Sequence, residues 1–303
     1  MKLLWVFVDG VGLGADDPDE NPLLAAACPT VSSLLGGRPL SASGVAGLTG
    51  AEPALTVAAD ATLGVPGLPQ SASGQTALFT GRNGARILGH HQNAFPGPTL
   101  RRVLAESSVF RRVAADGGRV TFLNPFPPDF LFRAERGEAR LSATTCAILA
   151  AGVPLRRLDH VAGGQAVSSD IRGERFRSRG YPLPLVTPAT AGATAARVAA
   201  QHDLTLFEYF RTDLAGHAQD RLAAVASLAD LDEFLGAALA SEPGVSLLLT
   251  SDHGNVEDLT TRSHTGNLVP VLATGGARPV AAACGSLLQV APAVWRLWRQ
   301  HCS

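Results

Sequence analysis

Six side chains spread along the chain carry chemistry that structure alone does not ask for: Asp9, Asp213, His217, Asp252, His253 and His264. Three carboxylates and three imidazoles offer hard oxygen and borderline nitrogen ligands. That mixture suits divalent ions such as Zn²⁺ or Mn²⁺ better than Ca²⁺ alone. Taken singly, an Asp after a strand is a common turn former and a lone His a common core or surface residue. His90, His91, His160, His202 and His301 keep that ordinary reading. The six differ because they sit at the ends of β-favouring runs or in adjoining turns. Ligands scattered in sequence but gathered at one sheet edge are hard to explain as stability features, and the set is large enough for two ions.

The elements that must gather them are short apolar runs ending in polar, Gly-rich turns. LLWVFV (3–8) runs into Asp9-Gly10, RVTFL (119–123) into Asn124-Pro125, and LTLFEYF (204–210) leads to Asp213. VSLLLT (245–250) leads to Ser251-Asp252-His253, and LVPVLAT (268–274) ends in Gly275-Gly276. Continuous β-favouring runs of this kind predict strands buried on both faces of a largely parallel sheet. Helical spacing of Leu222, Val225, Leu228, Leu231 and Leu235 predicts one helix over 217–239, and Ala-rich 190–201 predicts another. The alternation implies an α/β fold with a doubly wound, mostly parallel sheet, whose ligands bind beyond the strand carboxyl ends. Residues 125–185 have weak strand signals and clustered arginines, among them Arg133, Arg140, Arg156, Arg172, Arg175 and Arg179. The expected organisation is a core of 1–124 and 186–303 with a small inserted cap at 125–185.

Composition narrows the class. With 303 residues, 46% hydrophobic and 17% charged, the chain can bury a sizeable core. Lys+Arg of 25 against Asp+Glu of 26 leaves a net charge of −1, which removes the electrostatic case for a nucleic-acid binder. The cysteines Cys28, Cys146, Cys284 and Cys302 lack a C-x-x-C spacing, so they read as reduced residues of a cytoplasmic protein. The apolar stretch after Lys2 is cut short by Asp9, below the length of a signal-peptide core of about 7–15 residues. No run approaches the roughly 18 apolar residues of a membrane span, and no membrane partner is expected.

Four blocks carry a resemblance. Asp9-Gly10-Val11-Gly12, Asp213-Leu214-Ala215-Gly216-His217, Ser251-Asp252-His253-Gly254-Asn255 and His264-Thr265-Gly266-Asn267-Leu268-Val269-Pro270 resemble, in this order, the alkaline phosphatase superfamily. The nearest branch is that of cofactor-independent phosphoglycerate mutase and phosphopentomutase. The resemblance covers the first ~100 residues and those after about Thr187. It implies that Asp213, His217 and His264 hold one metal and that Asp9, Asp252 and His253 hold another. It also implies that Ser71, in Ser71-Ala72-Ser73-Gly74-Gln75-Thr76, is both ligand and phosphorylated nucleophile, with Ser73 and Thr76 as rivals. A hydroxyl needs a metal or base to become nucleophilic, and a helix N-terminus favours a phosphate beside it. Ser71 could equally serve as the N-cap of that helix.

The departures from the family also inform. The chain is shorter than either mutase, implying a reduced cap. Phosphoglycerate mutases of this branch use an active-site lysine, whereas the only lysine here, Lys2, precedes the first strand. Arginines can clamp phosphate bidentately instead, with Arg82 and the cap arginines as candidates. A sulfatase is disfavoured because Ser71 lacks the following x-P-x-R element. The expected activity is phosphomonoester hydrolysis of a small phosphorylated metabolite through phosphoserine. A phosphomutase is the alternative, and a metal-binding protein without turnover the second.

Overall fold

Strand β1 (Leu3–Val8) sets the frame, because all six of its side chains are buried and alternate between two cores. In this computed structural model, which describes residues 1–302, Leu3, Trp5 and Phe7 enter one apolar cluster and Leu4, Val6 and Val8 the other. A strand that must bury both faces has no polar side to alternate, which is why it reads as an unbroken apolar run. The first cluster is closed by the helices Ser71–Thr80, Val109–Ala115 and Val290–Cys302. The second is closed by Pro188–Ala200 and Arg221–Ser241. The fold is α/β, as expected.

The remaining strands of the main sheet are β2 (Leu55–Ala59), β3 (Val120–Phe122), β6 (Leu204–Tyr209), β7 (Ser246–Thr250) and β8 (Val269–Ala273). Their order is β2-β8-β7-β1-β6-β3. β3, β6, β1 and β7 are parallel, while β8 runs antiparallel to both β7 and β2. That reversal matters for function. It brings the amino end of β8, and the loop before it that carries His264, to the edge where β1, β6 and β7 end. β2 is an edge strand that the apolar-run reading missed, since its five residues are only partly buried and carry no long apolar stretch.

The single helix expected over 217–239 is two. Arg211–Ala218 ends at Gln219, whose φ of 53° is left-handed, and Asp220 then caps Arg221–Ser241 through the Ala223 N–H at 3.0 Å. The break frees Asp213 and His217 to sit one turn apart on a helix of their own. It also leaves Leu222 84% exposed, so that residue lies off the apolar stripe assigned to it.

Residues 125–185 do two things. Part of the segment is woven into the core. Ala143, Ala147 and Ile148 of the Ala143–Ala150 helix join the cluster of Trp5, and Val167 and Ile171 join that of Val6. The rest forms a thin cover with its own small cluster of Val161, Ala166, Phe176 and Leu183, and a short parallel pair, β4 (Pro125–Phe126) and β5 (Arg156–Arg157). A bidentate ion pair from Arg172 to Asp230, at 2.6 and 2.7 Å, ties this cover to Arg221–Ser241. Cys28, Cys146 and Cys284 are free thiols, and the Cys302 side chain lies outside the described residues. Among the described residues no helix is long and apolar enough to cross a membrane.

Candidate metal centre

Asp9, Asp252 and His253 sit in turns directly after buried strands, Asp213 and His217 on the short helix that follows β6, and His264 in the loop before β8. Asp9 comes directly after β1, and its backbone is fixed by an N–H to Tyr209 O bond at 2.8 Å and by the Thr212 hydroxyl on its carbonyl at 2.6 Å. Gly10 then turns with φ +72°, and a Cβ there would lie 2.7 Å from Asp213 Oδ1, so a side chain is excluded twice over. Asp252 and His253 follow β7 and are completely buried. The Ser251 hydroxyl accepts from the Val11 N–H at 2.9 Å and donates to His253 O at 3.1 Å, which locks the β1 and β7 turns together.

Two groups of side chains emerge at the sheet edge. Asp9, Asp252 and His253 offer ligand atoms within 4.8 Å of one another, and so do Asp213, His217 and His264. The groups adjoin, since the His253 and His264 rings stack with centroids 3.6 Å apart. In the first group, His253 Nε2 lies 3.1 Å from Ser71 Oγ, 3.3 Å from Asp9 Oδ1 and 3.5 Å from Asp252 Oδ2. In the second, His217 Nε2 and His264 Nε2 are 3.2 Å apart and reach Asp213 oxygens at 3.4 and 3.7 Å.

This donor set fits a cation. One imidazole N–H cannot serve three oxygens, and Asp9 Oδ1 is buried with no hydrogen bond among the described residues. In the second group His217 Nδ1 donates to Arg262 O at 2.7 Å and His264 Nδ1 to Pro69 O at 2.8 Å. With Nδ1 of each ring on a carbonyl, the two Nε2 atoms are left facing each other, an arrangement that suits a shared positive ion. The same backbone acceptors orient the ligand nitrogens, as supporting contacts do in metal sites.

Electrostatics agrees. Burial, and then the charges of Asp252, Asp213 and Glu208, raise Asp9 well above the ordinary carboxylate range. Burial lifts Asp252 to about 8 against the lowering contact from Gln75. Burial also holds His253 well below the usual imidazole value and lowers His264. A neutral imidazole is a ready ligand, and crowded carboxylates ionise once a cation compensates them.

Ser71 is the first residue of the Ser71–Thr80 helix, and the N-cap is Gln70, not Ser71. Its hydroxyl faces the site. The rivals point elsewhere: Ser73 Oγ bonds Gln70 O and accepts the Gln92 N–H, and Thr76 Oγ1 donates to Ala72 O at 2.6 Å. Gly74 lets this helix approach the β7 turn, for a Cβ there would lie 2.8 Å from Asp252 O. Arg82 follows the far end of the same helix, roughly 15 Å along its axis from Ser71, and does not line the cavity over the site. It is replaced there by Arg133, Arg140, Arg175 and Arg179 of the 125–185 segment, which line a cavity of about 650 Å³ together with Asp9, Ser71, Asp213 and His217. Lys2 pairs with Asp203 at 3.2 Å, at the opposite end of β1.

Four residues that shape the site carried no assigned role in the sequence. Asn255 Nδ2 donates to Asp213 Oδ1 at 2.9 Å, and Gln75 Nε2 to Asp252 Oδ2 at 3.0 Å. Both stand inside the motif blocks, which was their only signal. Glu257 is buried and accepts from the Gly12 and Asn255 N–H groups at 2.9 and 2.7 Å, from Asn267 Nδ2 at 3.0 Å and from the Thr265 hydroxyl. It thereby ties all three ligand loops to one carboxylate. Glu208, the lone charge in its strand run, lines the cavity, accepts from Thr144 Oγ1 at 2.9 Å and is pushed by burial to about 7.

Comparison with known proteins accounts for this arrangement. Residues 187–298 match the family model described as metalloenzyme superfamily. A segment of 111 residues, 34% of this chain, is 36% identical to the 2,3-bisphosphoglycerate-independent phosphoglycerate mutase of Dinoroseobacter shibae. It spans 22% of that relative's length, so the match is to a part of the mutase. Among solved structures, a Pyrococcus horikoshii protein superposes with a TM-score of 0.60 at 12% identity, over 99% of this chain and 97% of its own. The alkaline phosphatase from the Antarctic bacterium TAB5 superposes with a TM-score of 0.56 at 14% identity, over 98% and 97%. The blocks that carry Asp213, His217, Asp252, His253 and His264 lie inside the matched region and Asp9 and Ser71 lie before it, so the C-terminal part of the chain is similar to the metalloenzyme superfamily and to part of the 2,3-bisphosphoglycerate-independent phosphoglycerate mutases, on a fold shared with the TAB5 alkaline phosphatase.

Proposed function

We propose that this protein hydrolyses a phosphomonoester through a phosphoserine at Ser71, with Asp9, Asp252 and His253 holding one divalent ion and Asp213, His217 and His264 a second. The observation that carries this reading is the Ser71 hydroxyl, 3.1 Å from His253 Nε2 at the start of a helix, facing both ligand groups from the floor of one cavity. Bound Mn²⁺ or Zn²⁺ supplies Lewis-acid stabilisation of the phosphoryl oxygens and makes the serine hydroxyl more acidic.

The chain's own residues do the rest. Ser71 Oγ gives up its proton to solvent and attacks phosphorus opposite the ester oxygen, the P–O ester bond breaks, and the departing alkoxide takes a proton back from solvent to leave as the alcohol. In the first turn of the Ser71–Thr80 helix the Ser73 N–H is on Gln92 O and the Gly74 N–H on Gln70 O, which leaves the N–H groups of Ser71 and Ala72 to favour the phosphate on Ser71. Water then attacks the phosphoserine, restoring the hydroxyl and releasing inorganic phosphate. Gln75 and Asn255 hold Asp252 and Asp213 in place throughout. Transfer of the same phosphate to a second hydroxyl of the substrate would make the enzyme a mutase, in line with the activity named for the D. shibae relative. Hydrolysis is favoured because the cover from 125–185 is thin and no lysine enters the cavity.

The test is acid quench after brief incubation with a phosphomonoester and Mn²⁺, followed by peptide mass spectrometry and product analysis. Phosphate on Ser71 with free inorganic phosphate supports hydrolysis. An isomerised ester without free phosphate supports the mutase, and no phosphopeptide together with no product defeats both.

A further inference from the structure

The cavity above Ser71 has two chemically distinct walls. The sheet edge contributes the carboxylates and imidazoles, and the 125–185 segment contributes guanidinium groups. Arg140, Arg175 and Arg179 form no ion pair with a carboxylate among the described residues, whereas Arg133, Arg136, Arg157 and Arg172 of the same segment do. Arg175 is the most enclosed. Burial, then the neighbouring charges of Arg179 and Arg211, lower it from the usual guanidinium value. The acid whose charge acts on it, Asp170, is already held by the Ser168 hydroxyl and by the Gly173 and Arg175 N–H groups. Asp129 also lines the cavity, but it accepts from Tyr181 at 2.6 Å and pairs with Arg133 at 3.8 Å. Three unpaired like charges at one cavity wall, that of Arg175 partly desolvated, call for an anion.

The space between these walls is aromatic. Arg140 Cζ lies 4.4 Å from the Phe95 ring centroid and Arg175 Cζ 4.9 Å from that of Phe210, so both guanidinium groups sit over rings that line the cavity. Phe126 and Phe130 stack at 4.7 Å beside them. Phe95 is held by a strained turn, because Ala94 before it has φ 54°. A volume of about 650 Å³ exceeds what a three-carbon phosphoester would fill.

We infer that the substrate is a phosphomonoester with a flat apolar body and a second anionic group, the phosphate facing Ser71 and the second anion facing Arg140, Arg175 and Arg179. This rests on the phosphoryl-transfer reading above, and it names Arg175 as the residue that sets specificity. An aliphatic phosphoester would leave the phenylalanine walls wet, and a neutral aryl phosphate would leave the guanidinium groups unpaired.

The test compares 4-carboxyphenyl phosphate, phenyl phosphate and phosphoglycolate as substrates of the Mn²⁺-supplemented protein. The matching phosphonates are measured by calorimetry, where leaving-group reactivity plays no part. The carboxylated aryl compound should exceed both others by tenfold or more in kcat/KM and in binding. Within Arg175→Gln, or within Arg140→Gln/Arg179→Gln at exposed positions, the ratio between carboxylated and plain aryl compounds should fall towards one. Arg175→Lys should retain part of it. Equal turnover and binding of the two aryl compounds, or a preference for phosphoglycolate, would overturn the inference and leave phosphoryl transfer standing. Tenfold tighter binding of the carboxylated phosphonate with no turnover of any ester would do the reverse.

Discussion

His217 and His264 meet through their Nε2 atoms at 3.2 Å, and each ring has its Nδ1 on a backbone carbonyl, that of Arg262 or that of Pro69. Two imidazoles from different parts of the chain are thus held with their Nε2 atoms facing each other. Removing the ion that reconciles them should therefore destabilise the protein. Dialysis against a chelator is expected to lower Tm and readdition of Mn²⁺ or Zn²⁺ to restore it. Free ion at 100-fold over Kd contributes about 2.7 kcal/mol per site. Identical calorimetric scans with and without chelator would remove the metal assignment.

Metal uptake should release protons. Asp252 is raised to about 8 and Asp9 is raised as well, so near neutral pH the metal-free pair retains a proton that coordination must expel. Apparent affinity should rise with pH up to about 8, and titration heats should depend on the ionisation enthalpy of the buffer. Asp252→Asn should abolish both effects and lose bound metal by elemental analysis, with the fold retained in the circular dichroism spectrum.

The three candidate hydroxyls Ser71, Ser73 and Thr76 should separate cleanly. Ser71→Ala is expected to keep bound metal and lose several orders of magnitude in kcat. Ser71→Thr retains a hydroxyl and should keep some turnover. Ser73→Ala and Thr76→Ala lose hydrogen bonds within the helix start, costing on the order of 1 kcal/mol in stability and little in kcat. Native turnover by Ser71→Ala would end the covalent route.

Glu208 predicts a pH effect on the metal-free fold. Its value rises from an ordinary 4.5 to about 7 in the folded chain. The stability it adds is full below about pH 4.5 and is lost as pH rises through about 7, because the unfolded chain gives up that proton more readily. Glu208→Gln, neutral throughout and still able to accept from Thr144, should match the native protein near pH 4. Near pH 8 it should exceed it by a few kcal/mol, on the order of the linkage from such a shift. Denaturant titrations in chelator across that range measure the difference.

Asn255→Ala removes the donor on Asp213 Oδ1 without touching a ligand. Supporting contacts of this kind are worth about 10–100-fold in metal affinity or activity. Competition with a metallochromic indicator should show weaker binding of one ion and little change in the other. Uniform loss of both would mean that Asn255 acts through the whole loop.

The α/β class, the apolar strand runs and the six side chains that cluster at the sheet edge were legible in the sequence, because each leaves a local mark. A strand buried on both faces must be continuously apolar, and its exit turn must be polar, so LLWVFV followed by Asp9 or VSLLLT followed by Asp252-His253 announces itself. The helix over 217–239 misled because the apolar spacing runs close to the break, and only the left-handed Gln219 and the Asp220 cap divide it. What the linear chain could not supply were properties of direction and enclosure. The antiparallel course of β8 brings His264 to the edge shared by Asp9 and Asp252, and no residue in β8 records which way it runs. Glu257 is an ordinary acid until Gly12, Asn255, Thr265 and Asn267 close around it. Arg82 looked as able to bind phosphate as Arg175. The helix that begins at Ser71 carries Arg82 away from the site, while the fold of 125–185 turns Arg175 over it, since side-chain type is local and proximity is set by tertiary packing.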